Sequence, residues 1–151
     1  TEPLPDLPVS PHPNWVTPRG LAALRDRLEA VRAALAHLKA RTDRLDRLPE
    51  KAAERDIRYL EARLASAIPV DPAGQPKDEA AFGARVTVAD DEGRETVYEI
   101  VGEDEADAAR NLIAPQSPLA RALIGAHVGD VVEWRRPAGT VELEVIAITY
   151  G

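Results

Sequence analysis

Two aspartates three residues apart, Asp43 and Asp46, stand in the stretch RTDRLDRLPEK, residues 41–51, with Pro49 just beyond them. A paired acidic tip of this kind could hold a divalent cation, since Mg²⁺ is bound through one or two carboxylates and keeps several waters. The neighbouring charges oppose that use. Residues 39–51 hold Lys39, Arg41, Arg44, Arg47 and Lys51 against Asp43, Asp46 and Glu50, a net of +2. Guanidinium groups that close would pair with both carboxylates and repel a second cation by roughly a few kcal/mol at surface dielectric. The spacing therefore predicts a salt-bridged basic turn with Arg41, Asp43, Arg44, Asp46 and Arg47 at its tip. Asp43 and Asp46 act as metal-holding acids only in the alternative reading.

Other chemistry finds little support. There are no cysteines, which excludes disulfides, thiolate metal sites and cysteine nucleophiles and fits a reducing, cytoplasmic setting. His12, His37 and His127 lack zinc spacing. The serines have no nucleophile elbow, and no glycine loop is built to cradle phosphate. The acidic run EDEAD, residues 103–107, lacks EF-hand spacing and reads as an exposed loop. Arg135 and Arg136 could touch a phosphate but read as solvated, while Trp15 reads as an anchor at a helix start and Trp134 as a strand residue. No enzyme, metal or cofactor is expected. No apolar run approaches the roughly 20 residues of a membrane span, so no membrane association is expected either.

The elements that must position the tip are legible from period and punctuation. Residues 1–16, with prolines at close intervals and no signal-peptide pattern, read as an extended, mobile tail. Residues 17–68 read as an antiparallel helical hairpin, a coiled coil. Thr17 is the N-cap and Pro18 the first helical residue. Leu21, Leu24, Leu28, Val31, Leu35 and Leu38 form a heptad seam that Leu45 rejoins. Pro49 stops or restarts the helix, and a second seam follows at Ala53, Ile57, Leu60, Leu64 and Ala67. Residues 69–80 read as a hinge-capable linker.

Residues 81–151 read as a β-rich domain with one short helix, so the whole is α+β. Two strands flank an Asp-Glu-Gly turn, with Val86 and Val88 on one face. Two more flank Pro-Ala-Gly, and the alternation Val141, Leu143, Val145 slips to Ile146, Ile148, Tyr150, which predicts a β-bulge. Ser117 and Pro118 start the helix and Gly125 ends it. Charge divides the chain in the same place. Residues 1–71 carry 12 Lys/Arg against 11 Asp/Glu, a net of +1, while residues 72–151 carry 7 against 15, a net of −8. A half that acidic repels phosphates, so autonomous DNA binding is not expected and a protein partner is.

The segments TPRGLAALRDRLE, FGARVTV, YEIVGEDEAD, NLIAPQSPLARALIG, VGDVVEW and PAGTVELEVIAITY resemble, in order and spacing, the Gre factors that assist bacterial RNA polymerase in transcript cleavage. The resemblance implies an FK506-binding-protein-like C-terminal domain, without prolyl isomerase activity, docked as a monomer on the rim of the polymerase secondary channel. The hairpin would enter the channel. Gln116, Ser117 and Pro118 match the family's polymerase-binding position, although Gln116 replaces its usual acidic residue, a charge-assisted contact worth roughly a few kcal/mol. The family's tip carries its acids in a Gly-Asp-x-x-Glu-Asn setting. Here only the three-residue spacing of Asp43 and Asp46 survives, and each arm is shorter by about one heptad, withdrawing the tip by ~10 Å. The resemblance therefore implies a channel-binding regulator of transcription that does not stimulate cleavage. The alternatives are an authentic cleavage factor and a helical interaction module unrelated to polymerase.

Overall fold

In a computed structural model the described residues are 2–43 and 45–151. The chain divides into two units, Thr1–Asn14 with Leu21–Ile68, and Trp15–Gly20 with Pro69–Gly151. The expected boundaries at 16/17 and 80/81 thus shift, because the stretch 15–20 and the supposed linker belong to the β unit.

The first unit is the hairpin. Helix α1 runs Pro18–Lys39 and α2 runs Leu48–Ser66. The arms are antiparallel. Arg32 Nη2 meets Glu61 Oε2 at 3.0 Å, while the earlier residues Arg25, Leu28 and Glu29 line a groove with the later Leu64. Leu24 and Leu28 of the first seam and Ala53 and Leu60 of the second are buried. Towards the tip the α1 seam opens, with Val31, Leu35 and Leu38 only half-buried. Leu45 does not rejoin it. The helix has already ended at Lys39, and Leu45 is 95% exposed. Pro49 restarts the chain as helix, at the second position of α2, where its missing N–H leaves no bond unmade.

The tail is extended but tied down. Arg58 donates to Asp6 Oδ1 at 2.5 Å and to the Leu4 carbonyl at 2.8 Å, and Lys51 donates to the Glu2 carbonyl. Nearer the helix, Asn14 Nδ2 donates to the Arg63 carbonyl at 2.8 Å and Arg63 Nη2 returns to Asn14 Oδ1 at 2.7 Å. Both residues are buried. The ordering of the tail has a physical basis. Proline-rich chain is pre-extended and leaves its carbonyls free, so long basic side chains on a neighbouring helix can order it at low entropic cost.

The second unit is a five-stranded sheet. Its strands are β1 (Ala84–Ala89), β2 (Glu95–Ile100), β3 (Leu112–Ile113), β4 (Val131–Arg136) and β5 (Gly139–Tyr150), in the order β3-β2-β1-β5-β4. All neighbours are antiparallel except β2 and β3. Thr87 faces Ala147 but Val88 faces Val145, so Ile146 is the extra residue of the expected bulge. Helix α3 (Pro118–Leu123) buries Leu119, Ala120 and Leu123 in one cluster with Val86, Ile100, Leu143 and Val145. The expected helix stop at Gly125 has φ +92°, a conformation that favours glycine.

Residues 69–80 are more than a linker. Ala80 is fully buried, donates to the Ala126 carbonyl and accepts from Gly125 N, each at 2.8 Å. Tyr150 Oη donates to the Glu79 carbonyl at 2.6 Å and accepts from Ala81 N at 2.9 Å. Strand β3 was not expected. It is two residues long, too short to show alternation, and follows Asn111 in the left-handed region at φ 58°.

Candidate functional site: the hairpin tip and the Gln116–Pro118 turn

The tip uses its acids locally. Asp43 Oδ1 accepts from Leu45 N at 3.1 Å and Asp46 Oδ1 from Leu48 N at 3.0 Å, two successive turns in which aspartate binds the backbone two residues on. Arg41 Nε donates to the Leu38 carbonyl at 3.2 Å, satisfying an acceptor at the end of α1. Arg41, Asp43, Asp46 and Arg47 are all exposed, and Arg44 lies outside the described residues. Among the described residues neither tip carboxylate is in an ion pair; the expected pairing with Arg44 lies outside them. A short side chain reaches its own backbone at little entropic expense, whereas an exposed pair with a long arginine is worth only about 0–1 kcal/mol. Among the described residues no three His, Cys, Asp or Glu side chains gather where they could hold a metal ion. What the tip presents is the exposed pair Leu45 and Leu48 among arginines.

In the β unit, Ser117 caps α3. Its hydroxyl accepts from Ala120 N at 3.3 Å and donates to the Ala114 carbonyl at 2.7 Å, while Pro118 is exposed at the first helical position. Gln116 is half-buried, and its Oε1 is enclosed with no donor in reach among the described residues. A carboxylate in that place would bury an oxygen without a partner, so the neutral amide suits the site.

One constellation escaped the sequence reading. Thr17 Oγ1 accepts from Gly20 N at 2.9 Å, the expected N-cap, and donates to Glu105 Oε1 at 2.6 Å. Arg19 donates to Glu105 Oε2 at 2.8 Å and to Glu99 Oε2 at 2.5 Å. These bonds, the one to Glu105 foremost, hold the Arg19 guanidinium above its ordinary pKa. Glu105 is thus no solvated loop residue but a carboxylate at a helix start, where it opposes the positive end of the helix dipole. Gly20 was the available signal. A Cβ there would lie 2.6 Å from Glu105 Oε1, which explains a glycine in a first helical turn.

Trp15 meets Phe82 edge to face at 5.8 Å. Trp134 lies in β4, as expected, with its ring against Tyr98.

Together these features define a class of protein, an α+β chain bearing a helical hairpin whose exposed tip is its most distinctive surface. Residues 75–150 match the family described as "Transcription elongation factor, GreA/GreB, C-term". Transcription elongation factor GreA of Alkalilimnicola ehrlichii is 35% identical over 89% of this chain and 96% of that protein. Transcription elongation factor GreB of Neisseria meningitidis serogroup B is 39% identical over 91% of this chain and 94% of its own. The chain belongs to the GreA/GreB family of transcription elongation factors. A solved structure of GreA factor homolog 1 (Gfh1) from Thermus thermophilus, 25% identical, covers 91% of this chain and 99% of its own, but at a TM-score of 0.43 the overlap is too loose to compare the two arrangements.

Proposed function

We propose that this chain is a Gre-type factor that binds bacterial RNA polymerase at the rim of the secondary channel and regulates transcription by occupying the channel. In this reading it acts in the cytoplasm as a monomer, has no reaction of its own, and does not stimulate transcript cleavage. One observation carries the last point: each tip carboxylate already accepts a backbone N–H, from Leu45 and Leu48. Each bond engages one lone pair of Oδ1 and orients the carboxylate along its own turn, so a Mg²⁺ there would meet acids already shared with the backbone. The local net charge of +2 acts in the same direction. Gln116, Ser117 and Pro118 form the polymerase contact, with Pro118 the exposed member.

The competing reading, a factor that does stimulate cleavage through Asp43 and Asp46, draws its support from the GreA and GreB relatives. Transcript cleavage in backtracked elongation complexes separates the two. The protein alone should leave the cleavage rate unchanged and should suppress a genuine cleavage factor in competition. Faster cleavage with the protein alone, lost in D43N/D46N, would establish the competing reading instead. Absence of both effects, together with no polymerase binding, would leave a hairpin module with another partner.

A further inference from the structure

Helix α3 has six residues and gives Leu119, Ala120 and Leu123 to the core cluster. Tyr98, Trp134 and Val141 pack against that cluster half-buried, and with Val88, Arg94 and Arg136 they line an open cleft of about 290 Å³. Two aromatic rings stand in a lining that is otherwise mostly polar. The Tyr98 and Trp134 rings meet edge to face, centroids 6.2 Å apart at 72°, and the Arg136 guanidinium lies 5.2 Å from the Trp134 centroid.

The cleft's charges are unequally engaged. Asp90 accepts from Glu92 N and Arg94 N and pairs with Arg94 at 3.1 Å, and Arg94 also lies 3.4 Å from Glu92. Asp91, on the same turn, disfavours an anion seated over that end. Arg136 is in no ion pair among the described residues and makes only a long 3.4 Å bond to the Gly139 carbonyl. A guanidinium stacked on an indole is held in place yet keeps its in-plane N–H donors available for a carboxylate.

From this we infer a binding site for a small, flat, apolar anion, a single-ring aromatic carboxylate being the simplest. The ring lies against Tyr98, beside the Trp134 face that Arg136 covers, and the carboxylate lies on Arg136. The volume lies just below the roughly 300–1,000 Å³ found for ligand pockets, which suits one ring rather than a larger ligand. This site is independent of the transcription reading.

Phenylacetate and its uncharged counterpart phenylacetamide test it, each titrated into the full chain and followed by NMR. Phenylacetate should give saturable shifts at the Trp134 indole N–H and at Tyr98. It should bind severalfold more tightly than the amide, since an ion pair with the exposed Arg136 is worth about 0–1 kcal/mol. R136Q should erase that preference and leave the rest of the spectrum unchanged. Equal affinities in the unaltered protein, shifts centred elsewhere, absence of saturation, or an R136Q variant that keeps the preference would each overturn the assignment.

Discussion

Thr17 Oγ1 and Glu105 Oε1 lie 2.6 Å apart although 88 residues separate them in the chain. The same hydroxyl accepts from Gly20 N, so one threonine closes the first turn of α1 and holds a carboxylate beside it. Gly20 is the residue that lets the carboxylate come so near. Alanine is ordinarily worth about 1 kcal/mol more than glycine within a helix. Here G20A should instead destabilise, because its Cβ would contact Glu105 Oε1. Urea denaturation of G20A, E105A and the double variant checks this. The penalty of G20A should disappear, and its sign reverse, once Glu105 is gone.

Asn14 and Arg63 form the buried polar lock between tail and α2. Asn14→Ala removes both a donor and an acceptor and should cost about 1–3 kcal/mol, since buried polar groups lose their partners. Arg58→Ala, which breaks a bond to the exposed Asp6, should cost about 1 kcal/mol or less. Thermal midpoints of the two variants, measured side by side, give the comparison.

Two groups set opposite pH edges. Burial pushes the Tyr150 hydroxyl above its ordinary pKa, so the folded state prefers the protonated phenol. That contribution is intact below the ordinary tyrosine range and is lost as the pH rises through the folded value. Asp90 is held below the ordinary carboxylate range, first by the backbone N–H of Arg94. Its contribution is intact above that range and is lost as the pH falls. Urea midpoints across pH should therefore flatten at the alkaline edge in Y150F and at the acid edge in D90N. Y150F should also lose about 1–3 kcal/mol near neutrality, because the Glu79 carbonyl and Ala81 N–H lose their partner.

Gln116→Glu restores the charge that Gre factors carry there but places it where Oε1 is enclosed. The variant should be less stable by about 1–3 kcal/mol near neutrality, with the deficit shrinking in acid as the carboxyl takes up its proton. Denaturation at neutral and acid pH checks the sign, and polymerase affinity of the same variant tests whether position 116 takes part in binding.

Residue pattern made the hairpin and the bulge readable for one reason: burial recurs with a fixed period. Leu24, Leu28 and Leu60 fall on their seams, and the slip at Ile146 is visible because every inward residue after it changes parity. Ala80, Glu105 and the tail were opaque because their partners are remote. Nothing near Ala80 shows that it pairs with residues 125 and 126, and nothing within EDEAD shows that its third residue meets Thr17. The tip was half legible. Its charges were countable, but that each aspartate bonds the backbone two residues on is a matter of reach, which composition does not contain.

Leu45 contributes almost nothing to folding, because a side chain 95% exposed buries no area worth defending. The stability of the hairpin resides in Leu24, Leu28 and Leu60, well away from the turn. The described tip residues 41–43 and 45–47 are therefore an interchangeable bit at the end of a fixed shaft. Their chemistry can be rewritten from acidic to basic or apolar without loosening the shaft, so one scaffold can carry tips of opposite charge.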